Sequence, residues 1–305
     1  MAQYYTNSVY RYDGGSSWTT CAALPFKVVN PGVFALGDAL YCVGGTSPSG
    51  TATANVNRYD GSAWTTGTSL PSARHAFACA TLGSYAYVIG GINGGATVVD
   101  TVYRFDGASW TAATSLPQTR CCAIAATLGN TLYLMGGLAS GGEKLTSVLK
   151  FDGTTWTSVG NMPRWQYYSA VCVESNKIVL VGGMDTSYSS ITNIMEFDGT
   201  TWTERPGLSS PLANAAAGVV SNRLYVVGGG SANSPSDETR YHRLASTGVT
   251  PDSGIKAGGY TVTIMGTGLG SGTDITNVTL CGVAASSISA QSATQVVVTA
   301  GVAAN

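Results

Sequence analysis

Charge is scarce in this chain. Only 10% of its 305 residues are Asp, Glu, Lys or Arg, against roughly 25% in an average soluble protein. The formal net charge is −1, so there is no basic footprint for nucleic acid or an anionic membrane surface. The surface must be built largely from Ser, Thr, Asn and Gly, as in many extracellular β proteins. Histidine is scarcer still: His75 and His242 cannot supply a His-rich copper or zinc site. No apolar run approaches the roughly 20 residues that span a bilayer, which argues against membrane insertion. Met1-Ala2-Gln3-Tyr4 leads straight into strand-like sequence without a signal-peptide pattern; if the protein is exported, its targeting segment lies outside this sequence. The seven cysteines (21, 42, 79, 121, 122, 172 and 281) show neither metal-ligand spacing nor the framework of a small disulfide domain. Several fall in apolar runs, where Cys serves as a small buried hydrophobe, and the odd number leaves at least one thiol without an intramolecular partner. One or two disulfides stay open. Asn277-Val278-Thr279 is the sole N-glycosylation sequon.

What the chain has is a ruler. Trp18, Trp64, Trp110, Trp156 and Trp202 stand at a constant spacing of 46, and so do Gly44-Gly45, Gly90-Gly91, Gly136-Gly137, Gly182-Gly183 and Gly228-Gly229. A fixed period of this length means one supersecondary unit stacked on copies of itself. An apolar run precedes each glycine pair, from Leu40-Tyr41-Cys42-Val43 to Leu224-Tyr225-Val226-Val227. These runs are too short for helices and read as buried strands. Tyr12-Asp13-Gly14, Tyr59-Asp60-Gly61, Phe105-Asp106-Gly107, Phe151-Asp152-Gly153 and Phe197-Asp198-Gly199 supply hairpin turns, since Asp and Gly tolerate tight-turn backbone. Each unit is therefore four short antiparallel strands.

The strand order, the double glycine and the Trp on the last strand resemble the kelch repeat over residues 4–245. The resemblance implies an all-β fold, a kelch-type β-propeller in which each unit is one blade around a central channel. The chain opens with a third-and-fourth-strand hairpin around Trp18, and the last repeat has its first two strands and a third at 239–244. Joining these ends completes a fifth blade, with a six-bladed ring as the alternative. The third-strand place is claimed twice, by Val9–Tyr12 and by residues 240–243. From Thr247 the composition changes. Val249-Thr250-Pro251, Gly258-Gly259, the strand 260–265 and the segments 277–281 and 293–298 resemble an IPT/TIG immunoglobulin-like module over 246–305. Only 58 residues remain from Gly248, against about 100 for a full sandwich, so the module is expected to be incomplete.

No catalytic constellation emerges, and neither metal nor cofactor is expected. The two histidines disfavour a galactose-oxidase-like copper enzyme. Arg74 and Arg120 hold equivalent places before the first strand of their repeats, where the next repeat has Gln166 and the first has Val28. An arginine there makes structural hydrogen bonds or meets a ligand. Up-and-down blades put the loops after the double glycines on one face, at 46–54, 92–98, 138–144, 184–191 and 230–237. That face also receives the one tryptophan outside the repeat, Trp165, within Arg164-Trp165-Gln166-Tyr167-Tyr168. With Tyr188, these aromatics either stack on a sugar or anchor a protein, or plug the channel mouth. The leading expectation is a non-enzymatic extracellular or cell-surface structural or adhesion protein. Its partners would be proteins, itself or other surface proteins. The alternative is a carbohydrate-binding or carbohydrate-active propeller, sialidase-like or sugar-epimerase-like, using the loop face.

Overall fold

The computed structural model describes residues 7–12, 17–220, 223–231, 234–235, 239–242, 249–250, 261–265, 278–280, 283–292 and 295–300. The chain divides into two compact units, the second taking residues from His242 onward together with 222–224. In the first unit four blades follow the 46-residue ruler. The first is Gly32–Leu36, Ala39–Val43, Val56–Tyr59 and Trp64–Thr66, paired antiparallel in that order. The others run from Ala78–Leu82 to Trp110–Ala113, from Ile124–Leu128 to Trp156–Asn161, and from Ala170–Glu174 to Trp202–Arg205. The second strand of each blade is apolar over its last four residues because neighbouring blades cover both of its faces. One cluster joins Tyr87 and Ile89 of the second blade to Leu132, Leu134 and Phe151 of the third. Another joins Ile124, Leu128 and Tyr133 of the third to Ile178, Leu180 and Phe197 of the fourth.

Aromatic rings run from blade to blade. Within a blade the third-strand Phe stacks on the fourth-strand Trp, at 4.6 Å for Phe105–Trp110 and 4.5 Å for Phe151–Trp156. Between blades a second-strand Tyr meets the next Phe edge-on: Tyr41–Phe105 at 5.3 Å, Tyr87–Phe151 at 5.5 Å and Tyr133–Phe197 at 5.4 Å. Both geometries suit the ring quadrupole. Three of the indoles also reach back one blade. Trp64, Trp110 and Trp156 donate through Nε1 to the carbonyls of Ala22, Thr68 and Thr114, each at 2.9 Å.

The double glycines answer a space constraint. Both members have positive φ, 64° and 93° at Gly136 and Gly137. A Cβ on Gly137 would lie 2.5 Å from the Cys121 carbonyl oxygen, and one on Gly45 would lie 2.8 Å from that of Val29. Through Gly91 N–H to Arg120 O (2.8 Å) and Gly183 N–H to Leu212 O (2.7 Å) the pairs also bond the next blade.

Ring closure departs from the expected strand exchange. The last sheet is Ala216–Val220, Arg223–Val227 and Thr239–His242, so the C-terminal claimant takes the third-strand place. Among the described residues, Val9–Tyr12 forms a two-stranded sheet with Trp18–Cys21. That hairpin nonetheless touches both neighbours in the way a blade does. The Tyr12 ring lies 5.1 Å from Tyr225, and the Ala22 carbonyl accepts the Trp64 indole proton. It thus holds the outer half of a blade position between the last sheet and the first blade. Among the described residues, five sets of inner strands face the channel.

In the second unit Val249–Thr250, Thr261–Met265, Gln295–Thr299 and Ser287–Ser292 form an antiparallel sheet in that order, and Thr279–Leu280 pairs with Val283–Ala284. Val262, Val296, Val298 and Ala300 form its core. The sequon Asn277, Cys281 and the outermost residues of the expected strands lie outside the described residues.

The Asp-Gly turns work differently from the sequence expectation: glycine alone takes the positive φ, 98° at Gly61 and 100° at Gly107. The aspartate caps the turn with its side chain instead. Asp60 Oδ1 accepts the Ser62 and Ala63 N–H groups, each at 2.8 Å, and Asp152 does the same for Thr154 and Thr155. The Ala63 N–H, then the Ser62 hydroxyl and N–H, hold the Asp60 carboxyl down at about 2, and Asp106, Asp152 and Asp198 are lowered likewise. Because the folded values lie below the unfolded one, the contribution is complete above about pH 4 and is lost as pH falls towards 2. Replacing Asp60, Asp106, Asp152 and Asp198 together by Asn should flatten the acid limb of a melting-temperature-versus-pH curve. Separately, Gly137→Ala should lower the unfolding free energy in urea by about 3 kcal/mol, from the strained φ and the carbonyl clash.

Candidate functional site

The channel mouth on the loop face is built from one position of the repeat. Asn30, Ala76, Cys122, Tyr168 and Asn214 all take left-handed backbone, with φ between 49° and 55°. Non-glycine residues there are strained by about 1 kcal/mol or more. The strain turns the chain from the loop into the innermost strand. Inter-blade hydrogen bonds help to hold it: Cys122 N–H to the Ala76 carbonyl at 2.7 Å, and Asn214 N–H to the Tyr168 carbonyl at 3.0 Å. These residues surround a cavity of about 340 Å³ together with Val33, Cys79 and Ser169.

Arg74 and Arg120, read from sequence as binding candidates, are enclosed beneath this face at 1% and 2% exposure. Arg120 Nη1 donates to the carbonyls of Gly136 (2.9 Å) and Ser147 (3.1 Å), and Nη2 to the Ser147 hydroxyl (2.8 Å). Arg74 repeats the pattern on Gly90 and Thr101, with its guanidinium 4.6 Å from the Tyr103 ring centroid. Burial lowers Arg120 to about 10, still protonated at neutral pH, and lowers Arg74 too. Their forks therefore serve the fold by tying the first glycine carbonyl to the third strand. The next blade reaches its first glycine carbonyl with shorter groups: buried Gln166 donates to Ser169, whose hydroxyl donates to Gly182 O at 2.8 Å.

The aromatic group around Trp165 is largely internal. Trp165 (4% exposed) and Tyr167 (7%) are buried, and the indole donates to the Gly137 carbonyl at 2.9 Å. Trp165 stacks on Tyr167 at 4.9 Å, and Tyr167 contacts Tyr168 at 4.5 Å. The rings thus link the loop face to the cavity wall, and Trp165 and Tyr167 fill the loop interior. Tyr188 is the outward member, 58% exposed and edge-on to Trp165 and Tyr167 at 6.3 and 6.1 Å. Its own loop is ordered by Asp185, which accepts the Ser187 and Ser189 N–H groups at 2.8 and 3.1 Å. Sequence reasoning missed Lys144. Its ammonium lies 4.8 Å from the Tyr188 centroid and 5.0 Å from that of Trp165, and donates to the Thr186 carbonyl at 2.6 Å. Arg164 sits on the rim in a solvent-exposed pair with Glu204 at 3.4 Å, a contact worth little energetically.

Clustered acids lie elsewhere. Glu174, Lys177, Glu196 and Arg205 form an ion-pair network, with Lys177–Glu196 at 2.7 Å and Arg205–Glu174 at 2.9 Å; Arg205 also contacts Glu196. Glu174 ends its strand at the turn remote from the channel mouth, so these carboxylates do not join the arginines or the aromatics.

Comparison with known proteins agrees with this architecture. A family model described as the KLHDC2/KLHL20/DRC7 Kelch-repeats domain matches residues 32–229, more than half of the chain, and an IPT/TIG domain model matches residues 245–305. The chain belongs to the kelch-repeat family and carries a TIG module after the propeller. Among solved structures, one described as "Structure of YjhT" superposes with a TM-score of 0.69 at 17% identity, covering 79% of this chain and 89% of that one. That likeness establishes the shared fold. No curated protein matches the chain. Kelch and TIG domains are generally non-catalytic and support protein–protein interaction.

Arg120→Met should lower the unfolding free energy by about 3 kcal/mol, because the Gly136 and Ser147 carbonyls lose their buried donors. Arg120→Lys should recover little of this in a urea titration, since an ammonium cannot reproduce the fork.

Proposed function

We propose that this protein is a non-enzymatic scaffold of the cell exterior or cell surface, with a structural or adhesive role. Its propeller engages a protein partner, a second copy or another surface protein, through the loop face around Tyr188. One observation carries the reading: an exposed aromatic ring stands on a pre-ordered loop, braced from below by buried Trp165 and Tyr167 and flanked by a cation. A rigid ring of this kind binds with little entropy to lose, which suits a hot spot. The family membership supports a scaffold, and the arginines that a carboxylate-binding enzyme would use are committed to backbone carbonyls. The low charge of the chain suits an exterior setting in which Ser, Thr and Asn carry solubility.

A glycan is the second reading, because the same ring over Ser- and Thr-rich loops offers a sugar a stacking surface. An array of extracellular protein domains and glycans, probed with the full chain and with Tyr188→Ala, separates the two. A protein hit weakened by about 2 kcal/mol, some thirty-fold, with an unchanged melting temperature is the expected result. A glycan hit lost in the variant would transfer the site to the second reading. Equal binding by both chains would remove Tyr188 from the interface.

A further inference from the structure

The scaffold reading leaves one group of nucleophilic side chains unused, on the channel wall. Cys121 and Cys122 are consecutive. In extended chain, consecutive side chains point to opposite faces. Left-handed backbone at Cys122 (φ 55°) breaks that alternation and lets the two neighbouring side chains turn towards one side of the chain. Cys121 is buried at 4% exposure, while Cys122 lines the cavity with its Sγ 3.7 Å from the Tyr168 hydroxyl oxygen. The pair thus has an inner thiol, an outer thiol facing a space of about 340 Å³, and a phenol within reach of the outer sulfur.

We propose that Cys121 and Cys122 are a redox site, converted to a vicinal disulfide by a hydroperoxide that enters the channel mouth. Cys122 attacks first as the thiolate. Its sulfur displaces the peroxide O–O bond, giving a sulfenic acid and releasing water (an alcohol from an organic peroxide) once the leaving oxygen takes up a proton. Cys121 then attacks the sulfenic sulfur. The S–S bond forms and the S–O bond breaks, and the departing hydroxide leaves as water with the Cys121 proton. Two thiols lose two electrons, and one peroxide gains them.

The order follows from the surroundings. Hydrogen bonding with Cys121, and to a lesser degree with Tyr168, outweighs burial and lowers the Cys122 thiol to about 7, whereas Cys121 is raised, chiefly by its bond to Cys122. Burial pushes Cys42 and Cys79 up to about 11 and Cys172 up to about 12, so those thiols stay protonated and slow. Closing a ring of only eight atoms twists the peptide between the two residues. The Cys122 N–H, now 2.7 Å from the Ala76 carbonyl, is drawn away from it, and oxidation loosens that joint between two blades.

The test treats the full chain with hydrogen peroxide, alkylates remaining thiols with iodoacetamide and maps tryptic peptides. Cleavage after Arg120 and Lys144 yields a peptide whose only cysteines are these two. It should appear unalkylated and lighter by two hydrogens, and dithiothreitol should restore double alkylation. Loss of the thiols should accelerate as pH rises through about 7 and then level. The conservative variant Cys121→Ser should stop at the sulfenic acid, trapped by dimedone on Cys122. Double alkylation as in untreated protein, oxygen adducts on Cys122 with Cys121 still alkylated, or no dimedone adduct in Cys121→Ser would each overturn the proposal.

Discussion

The propeller depends on a close approach of backbone to backbone at every joint, and glycine is what permits it. Where the second strand of a blade ends, its chain passes so near the lead-in of its own first strand that a methyl group would strike a carbonyl oxygen. The same short stretch bonds the following blade through Gly45, Gly91 and Gly183. One constraint therefore fixes both the turn within a blade and the step to the next. The aromatic contacts, the indole hydrogen bonds and the arginine forks are tuned to the spacing that this approach sets. A joint built from backbone also leaves the loops above it free to vary, as they do between Ser47–Thr51, Asn93–Thr97 and Asp185–Ser189.

Most of the propeller was legible because its markers recur in register. A lone Trp, a lone Gly-Gly or a lone Asp-Gly would each be weak, but a common period leaves one architecture. Closure was not legible. Val9–Tyr12 and Thr239–His242 are both short strands with aromatic residues, and pattern alone cannot rank them. The choice is made by Arg223–Val227, which pairs with Thr239–His242 and leaves the N-terminal hairpin to sit alongside. The role of the turn aspartates was half legible: the position was right, whereas the mechanism is a side-chain cap rather than a backbone conformation.

The site was harder to read, for a physical reason. Trp165 stands outside the repeat, which marks it as special without saying where it points. It points inward, because Gly137 offers its indole a carbonyl acceptor and Tyr167 offers a stacking face. Lys144 carried no sequence signal, since its significance comes from two loops folding over one another. The ring of left-handed residues was hidden as well. Asn, Ala, Cys, Tyr and Asn have no common chemistry, and only the backbone shows that they share one conformation. Buried Arg74 and Arg120 illustrate the opposite case, in which a charged residue that could meet a ligand is committed to backbone carbonyls, with a tyrosine face beside Arg74.

The blade-to-blade indole bonds span 42 residues each, whereas the Tyr12–Tyr225 contact brings together nearly opposite ends of the propeller sequence. These two scales imply an order of assembly. Neighbouring blades can form and dock while the remainder of the chain is still unstructured, as in other repeat architectures. Meeting of Tyr12 and Tyr225 requires a far larger loop to close, with its greater entropic cost. The seam beside the N-terminal hairpin is accordingly the last part of the ring to zip. It is also the first to part when the folded state breathes, so amide exchange there sets in ahead of the four complete blades.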